Sequence, residues 1–350
     1  MINDMYDKII VVGCYKYKLY AKAFFDAWKQ LGYQNVYSFS TDLLIDDDNK
    51  IRTIIKRVEN KFSFGIDVIV LNHKLKMLVS EVKPDLVFLY SPRNVWPETV
   101  EWMKLQGAIV MLYNNDDPFS VYYPNYFWRL FVKNIPYADI TWGYRFSNLE
   151  AYKKAGAKEV KLLRAYYREK YNFYDKAPTV KEYVPKVVFL GHYEADERED
   201  YITYATENGI EIGISAHAYE QYSRKNKNLV KLELAGTEYN AELNAAQIAL
   251  VFLSSINHDT YTRRCFEIPA TKTMMLSVYT DDLANMYEED KEIVFFRTKE
   301  ELVEKLRYYL NNEDAREQIA LAGYNRVLKD GHEAKDRVKQ IMEEYERLKA

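Results

Sequence analysis

Short apolar runs alternate with amphipathic stretches along this chain of 350 residues. Residues 9–12 and 85–90 are apolar runs of the length expected for buried strands, and residues 17–31 have apolar side chains at helical spacing. Glycine or proline follows many of these segments and marks the turns. Repeated strand–helix–strand units predict a parallel sheet covered by helices on both faces. The predicted fold class is therefore α/β.

A change in composition divides the chain into two such regions. Because a single hydrophobic core rarely grows beyond ~300 residues, a chain of this length favours two domains. Residues 168–186 are polar, aromatic and proline-bearing, with no clear period, and a new apolar run follows at 186–190. We therefore predict an N-terminal domain over residues 1–168, a linker over 169–185, a second domain over 186–332 and a C-terminal helix within 333–350.

One part of the N-terminal domain has a less regular pattern. Residues 67–71 (DVIVL) form a compact apolar run, which we interpret as a strand. Residues 75–82 have the spacing of a short helix that ends before Pro84. This interpretation places one further strand between those at 36–39 and 85–90.

Charge and cysteine usage limit the class of protein. The formal net charge is −3, which does not favour a nucleic-acid groove. Cys14 and Cys265 are the two cysteines, lie far apart and form no CxxC pattern, which is typical of a reduced, cytoplasmic protein. The N-terminus has no signal-like pattern, and no apolar run reaches the ~20 residues of a membrane helix. We expect a cytoplasmic protein without a transmembrane segment, and a homodimer is left open.

Residues 259–310 combine charged and apolar features in an order that favours nucleotide binding. Arg263 and Arg264 come just before Glu267 at a predicted helix start, and a later amphipathic helix begins at a Thr298 cap. Arginine guanidinium groups are suited to phosphate oxygens, and a carboxylate accepts hydrogen bonds from ribose hydroxyls. The combination predicts a site for a nucleotide diphosphate.

Four stretches in the second half carry a resemblance to a known family. They are RCFEIPA at Arg264–Ala270 and the segments at 187–200, 280–296 and 298–328. Together they resemble the C-terminal, group 1-like domain of GT-B glycosyltransferases, and more narrowly the branch of spore maturation protein CgeB-like glycosyltransferases. The resemblance covers the second half well and the first half in outline. It implies two Rossmann-like domains whose parallel sheets face a central cleft, with the acceptor bound by the N-terminal domain and a nucleotide sugar by the second. It also implies a final helix that packs back towards the N-terminal domain.

The resemblance assigns donor-binding roles to residues of the second domain. Glu267 is implied to hold the donor ribose and Arg264 the diphosphate, with Arg263 as a neighbour that could serve instead. Gly191 and His192 follow the first strand of this domain, where a small residue permits close approach of the backbone to a phosphate.

Two further groups of second-domain residues are candidates for donor contacts. Arg198 lies in a matched stretch and is interpreted either as a phosphate contact or as a support of the loop through Glu194 or Asp196. Ligands bind at the carboxyl ends of strands in open α/β sheets, and a loop after the strand at 249–253 is placed to line the donor pocket. Its candidate residues are Asn257, His258 and Tyr261.

The acceptor side is predicted at strand ends of the N-terminal domain. Asp116 and Asp117 follow the strand at 108–112, and an inverting transferase needs a base near the acceptor hydroxyl. The alternative for this pair is a polar Asx turn before proline. The remaining acceptor-side candidates are Asn114 and Asn115 of the same loop, and Gly13 and Tyr15 after the first strand.

These observations predict a metal-independent glycosyltransferase. No His, Cys or Asp cluster has the spacing of metal ligands, and GT-B enzymes generally need no bound metal. We expect no permanently bound cofactor, a UDP-, GDP- or dTDP-sugar as co-substrate, and a glycan, lipid-linked or protein acceptor in bacterial surface glycan or glycoconjugate synthesis. Two alternatives stay open: a catalytically silent GT-B-like protein that binds a nucleotide sugar or glycan, and a GT-B-fold nucleotide-sugar epimerase.

Overall fold

The computed structural model describes residues 7–42, 49–224, 226, 228–232 and 238–350. Their contacts divide the chain into two compact units. Unit 1 comprises the described residues up to Arg164 together with Ala334–Ala350, and unit 2 comprises those of Ala165–Glu333.

The described part of unit 1 is built on a sheet of six parallel strands. They are β1 Ile9–Gly13, β2 Val36–Ser40, β3 Leu86–Tyr90, β4 Ile109–Asn114, β5 Ile140–Gly143 and β6 Val160–Leu162. Their order in the sheet is β2-β1-β3-β4-β5-β6. Every residue of β1 and β3 is buried, as expected for strands with helices on both faces. The direction of the chain across the sheet reverses between β1 and β3, and ligands bind at the carboxyl ends of strands beside such a reversal.

Helices cover both faces of this sheet. They are α1 Ala21–Gln30, α2 Lys50–Phe62, α3 Ile66–Val82, α4 Pro97–Leu105, α5 Arg129–Asn134 and α6 Phe146–Lys154. The core between the sheet and α3, α4 and α6 is apolar and contains Leu71, Leu75, Val100, Met103 and Tyr152.

The strand predicted at residues 67–71 is wrong, because this segment is the first part of α3. The buried residues of α3 include Val68, Leu71, Leu75, Val79 and Val82, which recur at intervals of three or four. That spacing places them on one face of a helix, whereas a strand would alternate every second residue. The five-residue run was too short to separate the two patterns, and the full seventeen residues of α3 separate them clearly.

The described part of unit 2 contains a second sheet of six parallel strands. They are β7 Val187–Phe189, β8 Ile212–Ser215, β9 Leu229–Leu232, β10 Ile248–Val251, β11 Met274–Val278 and β12 Val294–Phe296. Their order is β12-β11-β10-β7-β8-β9. The reversal lies between β7 and β10, so the carboxyl ends of these two strands are where a ligand is expected.

The helices of unit 2 follow its strands along the chain. They are α7 Arg198–Glu207, α8 Ala216–Ser223, α9 Glu238–Ala245, α10 Arg264–Ala270, α11 Asp281–Met286, α12 Lys299–Asn311 and α13 Glu313–Lys329. The predicted Thr298 cap is present, because its side-chain oxygen accepts a hydrogen bond from the Glu301 amide at 3.1 Å. Thr280 caps α11 in the same way, because its side-chain oxygen accepts a hydrogen bond from the Leu283 amide. The sequence analysis had predicted no helix in this stretch.

The former linker segment and the last helix each belong to one of the two units. Residues 169–185, interpreted from the sequence as a linker, belong to unit 2, where the amides of Phe173 and Asp175 donate to the side chains of Asn240 and Asn244. The last helix, α14 Ala334–Lys349, packs within unit 1 and contacts α1. None of the described helices is long and apolar enough to cross a membrane.

The helical assignment of α3 predicts opposite outcomes for neighbouring substitutions. Leu71→Ala removes a fully buried side chain and should lower the free energy of unfolding of unit 1 by about 2–5 kcal/mol. Ile69→Ala is the matched control, because Ile69 is exposed, and should cost less than ~0.5 kcal/mol. Urea unfolding of the two variants measures the difference, and equal losses would contradict the assignment.

Candidate functional site

In unit 2, Arg264 lies against the end of strand β7 because residue 191 is glycine. A Cβ at position 191 would stand 3.3 Å from the Arg264 guanidinium carbon and 2.5 Å from the Phe189 ring. The Arg264 Nε is buried and makes no hydrogen bond to the described residues. A partly desolvated guanidinium therefore lies at the carboxyl end of β7, where parallel sheets bind their ligands.

Two histidines lie beside this arginine. The rings of His192 and His217 are 4.5 Å apart, and the Ser215 hydroxyl, which donates to the Gly191 carbonyl at 2.8 Å, holds the ends of β7 and β8 together. Burial lowers the pKa of both histidines, and the nearby charge of Arg264 lowers both further. Both imidazoles are therefore neutral near pH 7 and become cationic only at a lower pH than a free histidine.

A carboxylate and a phenol form a second part of this site. Glu267 is 7% exposed, and the Tyr239 hydroxyl donates a hydrogen bond to its Oε2 at 3.0 Å. Burial, and then the charge of Glu267, raise the pKa of Tyr239 well above its ordinary value. The phenol is therefore a permanent donor that orients the carboxylate.

Further arginines make this part of unit 2 strongly positive. Burial lowers the pKa of Arg168, the charge of Arg263 lowers it further, and the charge of Glu267 opposes both effects. The Arg263 guanidinium carbon lies 5.0 Å from the Tyr166 ring centroid. Like charges held together in a partly buried place are stabilised by an anion, so this cluster is suited to phosphate groups.

Arg198, predicted as a donor contact, instead supports the loop after β7. Its guanidinium donates to both Asp196 carboxylate oxygens at 2.7 and 2.8 Å and to the carbonyls of His192 and Leu253. Its side chain is 3% exposed. Because its donors are used within the loop, the second interpretation of this residue, a support through Glu194 or Asp196, fits the structure.

The structure does not fit the predicted donor-binding role of Tyr261. The same role for its loop neighbours Asn257 and His258 remains a prediction. Tyr261 is fully buried, its hydroxyl accepts a hydrogen bond from the Ala165 amide at 3.1 Å, and its ring packs against Phe266. Its side chain therefore anchors the start of unit 2. Asn257 is partly exposed and His258 is exposed, with a left-handed φ of 51° at His258. Donor contact by this loop stays a prediction.

Unit 1 contains a cavity of about 580 Å³ at the carboxyl ends of its first four strands. Its strand-end lining residues are Cys14, Thr41, Tyr90, Ser91, Asn115 and Asp116. Aromatic side chains, including Tyr20 and Phe127, contribute much of the remaining wall. The cavity adjoins the reversal between β1 and β3, as expected for a ligand site of an open parallel sheet.

Arg93 supplies positive charge to this cavity. Its guanidinium carbon lies 4.4 Å from the Phe127 ring centroid. Burial lowers the pKa of Arg93, and the charge of Asp116 opposes that effect. A guanidinium, a carboxylate and aromatic faces in one cavity match the hydroxyls and apolar faces of a sugar.

The two candidate bases have different surroundings. Asp116 lines the cavity, whereas Asp117 is 7% exposed and accepts hydrogen bonds from the Asn148 side chain at 2.9 Å and the Phe119 amide at 3.1 Å. Asp117 therefore forms the Asx turn that was the alternative interpretation, and only Asp116 keeps a position suited to a base.

The amides of Asn114 and Asn115 hold this loop in different ways. Asn114 is fully buried, and its Oδ1 accepts from the Ser91 hydroxyl at 2.8 Å and the Asp116 amide at 3.2 Å, so it shapes the loop from within. Asn115 lines the cavity, and the Tyr90 hydroxyl donates to its Oδ1 at 3.0 Å.

The side chains of the loop after β1 do not point as predicted for an acceptor site. The Tyr15 hydroxyl donates to the Val11 carbonyl at 2.9 Å, and burial followed by nearby acidic charge raises its pKa, so this side chain points into the unit. Cys14 lines the cavity instead. Gly13 acts by packing, because a Cβ there would stand 2.7 Å from the Ala21 Cβ and 3.0 Å from the Tyr90 carbonyl oxygen.

Some site residues escaped the sequence analysis. His217 lies two residues after the end of β8, and the strand-end rule applied to β7 and β10 would have found it. Arg168 and Tyr166 were placed at the edge of a linker, and Arg93 had no motif around it. Among the residues the structure describes, no three or more His, Cys, Asp or Glu side chains are grouped as metal ligands would be.

Comparison with known proteins identifies the fold. Residues 198–343 match the family model described as glycosyl transferase-like, and no curated protein matches the chain by sequence. Sucrose-phosphate synthase from Thermosynechococcus elongatus is 10% identical, with a TM-score of 0.69 over 97% of this chain and 99% of that one. HepE from Anabaena, in complex with UDP and glucose, is 10% identical, with a TM-score of 0.67 over 98% and 100%. A glycosyltransferase from Rickettsia africae is 11% identical, with a TM-score of 0.64 over 97% and 98%.

These similarities confirm the predicted fold class. The chain is an α/β protein with two parallel six-stranded sheets in its described part, and its fold is that of the GT-B glycosyltransferases. Its second half carries the glycosyl transferase-like sequence pattern.

The charge of Arg264 acts on both histidines, and this predicts a pKa shift that depends on one side chain. Arg264→Met should raise the pKa of His192 and of His217 towards ~6.5, because a positive charge that opposes their protonation is removed. Arg263→Met is the matched control, because Arg264 and not Arg263 acts on both imidazoles, and should leave the two values unchanged. NMR titration of the imidazole protons measures both, and the same pKa values in all three proteins would contradict the arrangement.

Proposed function

We propose that this protein transfers a sugar from a nucleotide-diphosphate-sugar donor to an acceptor hydroxyl. The observation that carries the proposal is the convergence of Gly191, Arg264, two histidines and the Glu267–Tyr239 pair beside the sheet reversal of unit 2. The glycosyl transferase-like pattern over residues 198–343 supports it.

The diphosphate and the ribose of a nucleotide-sugar donor each have a matching group in unit 2. The diphosphate lies against Gly191 and takes hydrogen bonds from Arg264 and the histidines, and the ribose hydroxyls donate to Glu267. HepE binds UDP and glucose in one structure and UDP-glucose in another, which makes a UDP-sugar our first candidate. GDP- and dTDP-sugars are the other nucleotides to test.

The arginine cluster has a role in the chemistry. During transfer, the bond between the anomeric carbon and the β-phosphate oxygen breaks, and negative charge develops on the departing nucleoside diphosphate. Arg263, Arg264 and Arg168 stabilise that charge by position. We propose that these cations fill the place that a bound metal takes in other transferases.

The cavity of unit 1 is the proposed acceptor site. Asp116 accepts the proton of the acceptor hydroxyl as its oxygen attacks the anomeric carbon, and Arg93 and the aromatic wall hold the acceptor sugar. We propose that the acceptor belongs to a bacterial surface glycan or glycoconjugate, that the reaction is cytoplasmic, and that the enzyme falls in the CgeB-like branch, on the motifs around Glu267.

Nucleotide binding tests the donor site. One of UDP, GDP, dTDP or CMP, present at ~100 times its dissociation constant, should stabilise the protein by about 2.7 kcal/mol in thermal unfolding. Glu267→Ala and Arg264→Met should weaken that nucleotide at least ~10-fold, because each removes a charged hydrogen-bonding group. Glu300→Ala and Arg307→Ala, on exposed positions of α12, should bind like the wild type.

The outcomes separate the rival functions. Stabilisation by no nucleotide would remove the donor site from consideration. Binding with the predicted variant effects, but without turnover of any nucleotide sugar, would support a silent binding protein. Interconversion of a free nucleotide sugar without an acceptor would support an epimerase.

Substitutions of the two aspartates in the loop after β4 should have different effects. Asp116→Asn should retain the wild-type melting temperature and nucleotide affinity, yet lose ~100-fold or more of the nucleotide release from the nucleotide sugar that binds, because the proton acceptor is gone. Asp117→Asn should destabilise unit 1 by about 1–3 kcal/mol, because a buried acceptor of two hydrogen bonds is altered. Normal turnover in Asp116→Asn would exclude it as the base.

A further inference from the structure

Helix α2 of unit 1 presents its apolar face to solvent. Its large apolar side chains are each between 50% and 72% exposed, and they recur at helical spacing. They are Ile51, Ile54, Ile55, Val58 and Phe62. Five large apolar side chains on one helical face form a patch of a kind that marks an interaction surface in soluble proteins.

The opposite, inward face of α2 is polar and is firmly attached to the unit. Lys56 and Glu59 are the buried residues of the helix, and the Asn94 side chain donates to Asn60 at 2.6 Å. The Arg129 guanidinium donates to the Phe62 carbonyl at 2.7 Å at the end of the helix. A surface helix of a globular protein normally buries its apolar stripe, so the orientation of α2 is the reverse of the usual one.

The apolar surface continues beyond the end of the helix. Phe64, in the turn before α3, is 64% exposed, and Ile66, the first residue of α3, is 75% exposed. The Phe64 ring is stacked on Trp96 with a centroid distance of 6.3 Å, which holds it in place. The exposed stripe and this turn form the surface that we call the α2 face.

Basic side chains border the α2 face. At 100° per residue, Lys50, Arg57 and Lys61 lie along one edge of the stripe. Arg52 lies beyond the other edge, where its guanidinium is ion-paired with Asp67 at 3.3 Å. Glu59 is the sole acidic residue within α2, and it is buried. A basic edge beside an apolar stripe is the pattern of helices that lie in the interface of an anionic membrane.

We propose that the α2 face docks on the surface of a lipid bilayer that contains anionic lipids. Its isoleucine, valine and phenylalanine side chains enter the boundary of the acyl chains, while the bordering lysines contact lipid phosphates. A second copy of the chain is a poorer partner, because symmetric pairing would bring two basic edges together.

Helix α2 also lies beside the proposed acceptor cavity. Arg57 and Asn60 of the same helix line the cavity of unit 1. Docking through α2 therefore places the proposed acceptor cavity at the membrane surface, which suits a lipid-linked acceptor. This last step rests on the proposed function, whereas the docking itself does not.

Vesicle binding by the full chain tests the docking. The protein should sediment with phosphatidylcholine vesicles that contain phosphatidylglycerol, and less with phosphatidylcholine alone. Ile54→Gln/Ile55→Gln should weaken binding at least ~10-fold, because two buried apolar side chains are lost from the interface while helix propensity is kept. Lys50→Glu/Lys61→Glu should abolish the preference for anionic vesicles.

Matched controls keep the test specific. Leu105→Gln changes an apolar side chain on α4 that is more exposed than either isoleucine. Lys154→Glu changes an exposed lysine on α6, and both variants should bind as the wild type does. No binding by the wild type, or equal losses in the controls, would overturn the proposal. A dimer in analytical ultracentrifugation that becomes monomeric in Ile54→Gln/Ile55→Gln, without vesicle binding, would assign the face to a second copy instead. Nucleotide stabilisation, measured on the same proteins, tests the donor site separately.

Discussion

The close approach of Arg264 to the backbone at Gly191 is the contact on which the site of unit 2 depends. Any side chain at position 191 would meet Phe189 and the guanidinium, so the charge reaches the end of β7 only past a glycine. That placement brings the charge within range of His192 and His217 and lowers the pKa of both. The Arg198 network then fixes the loop that carries Gly191, through carboxylates of its own loop and the carbonyl after β10. The result is a positive site that the fold holds in place before an anion binds, so the charges need no rearrangement on binding.

The same rule of parallel sheets locates a site in each unit, but the two sites differ in chemistry. In unit 2 the segments that follow the strands bring arginine, histidine and carboxylate side chains together. In unit 1 the strand ends open into a cavity with an aromatic wall, one carboxylate and the Arg93 guanidinium on Phe127. A positively charged site favours a phosphate-bearing ligand, and a cavity with aromatic walls favours a sugar ring. This difference is the physical basis for assigning donor and acceptor to separate units.

The sequence was sufficient for the fold, and it predicted some of the residues that form the candidate site of unit 2. Apolar runs that end in glycine located the strands, and the charged pattern at Arg264 and Glu267 identified residues that the structure places at one sheet reversal. The sequence did not give the direction of the side chains. Tyr15, Asp117, Arg198 and Tyr261 lie in segments that follow strands, yet each turns inward to a backbone or side-chain partner. Linear spacing reports which residues lie near a strand end, but only packing decides whether a side chain faces the ligand or the loop.

Helix α2 is a second case in which the sequence pattern does not show which way side chains face. Its hydrophobic period is clear in the sequence, and the ordinary inference from such a period is that the apolar face is buried. The structure places that face outward because the inner side is occupied by Asn60, Lys56 and Glu59, which have polar partners or burial of their own. A periodic pattern therefore establishes that a helix has two faces without establishing which of them the protein covers. When the apolar face is the uncovered one, the physical cost of exposing it to water has to be removed by something outside the chain, and the basic edge of α2 indicates an anionic lipid surface.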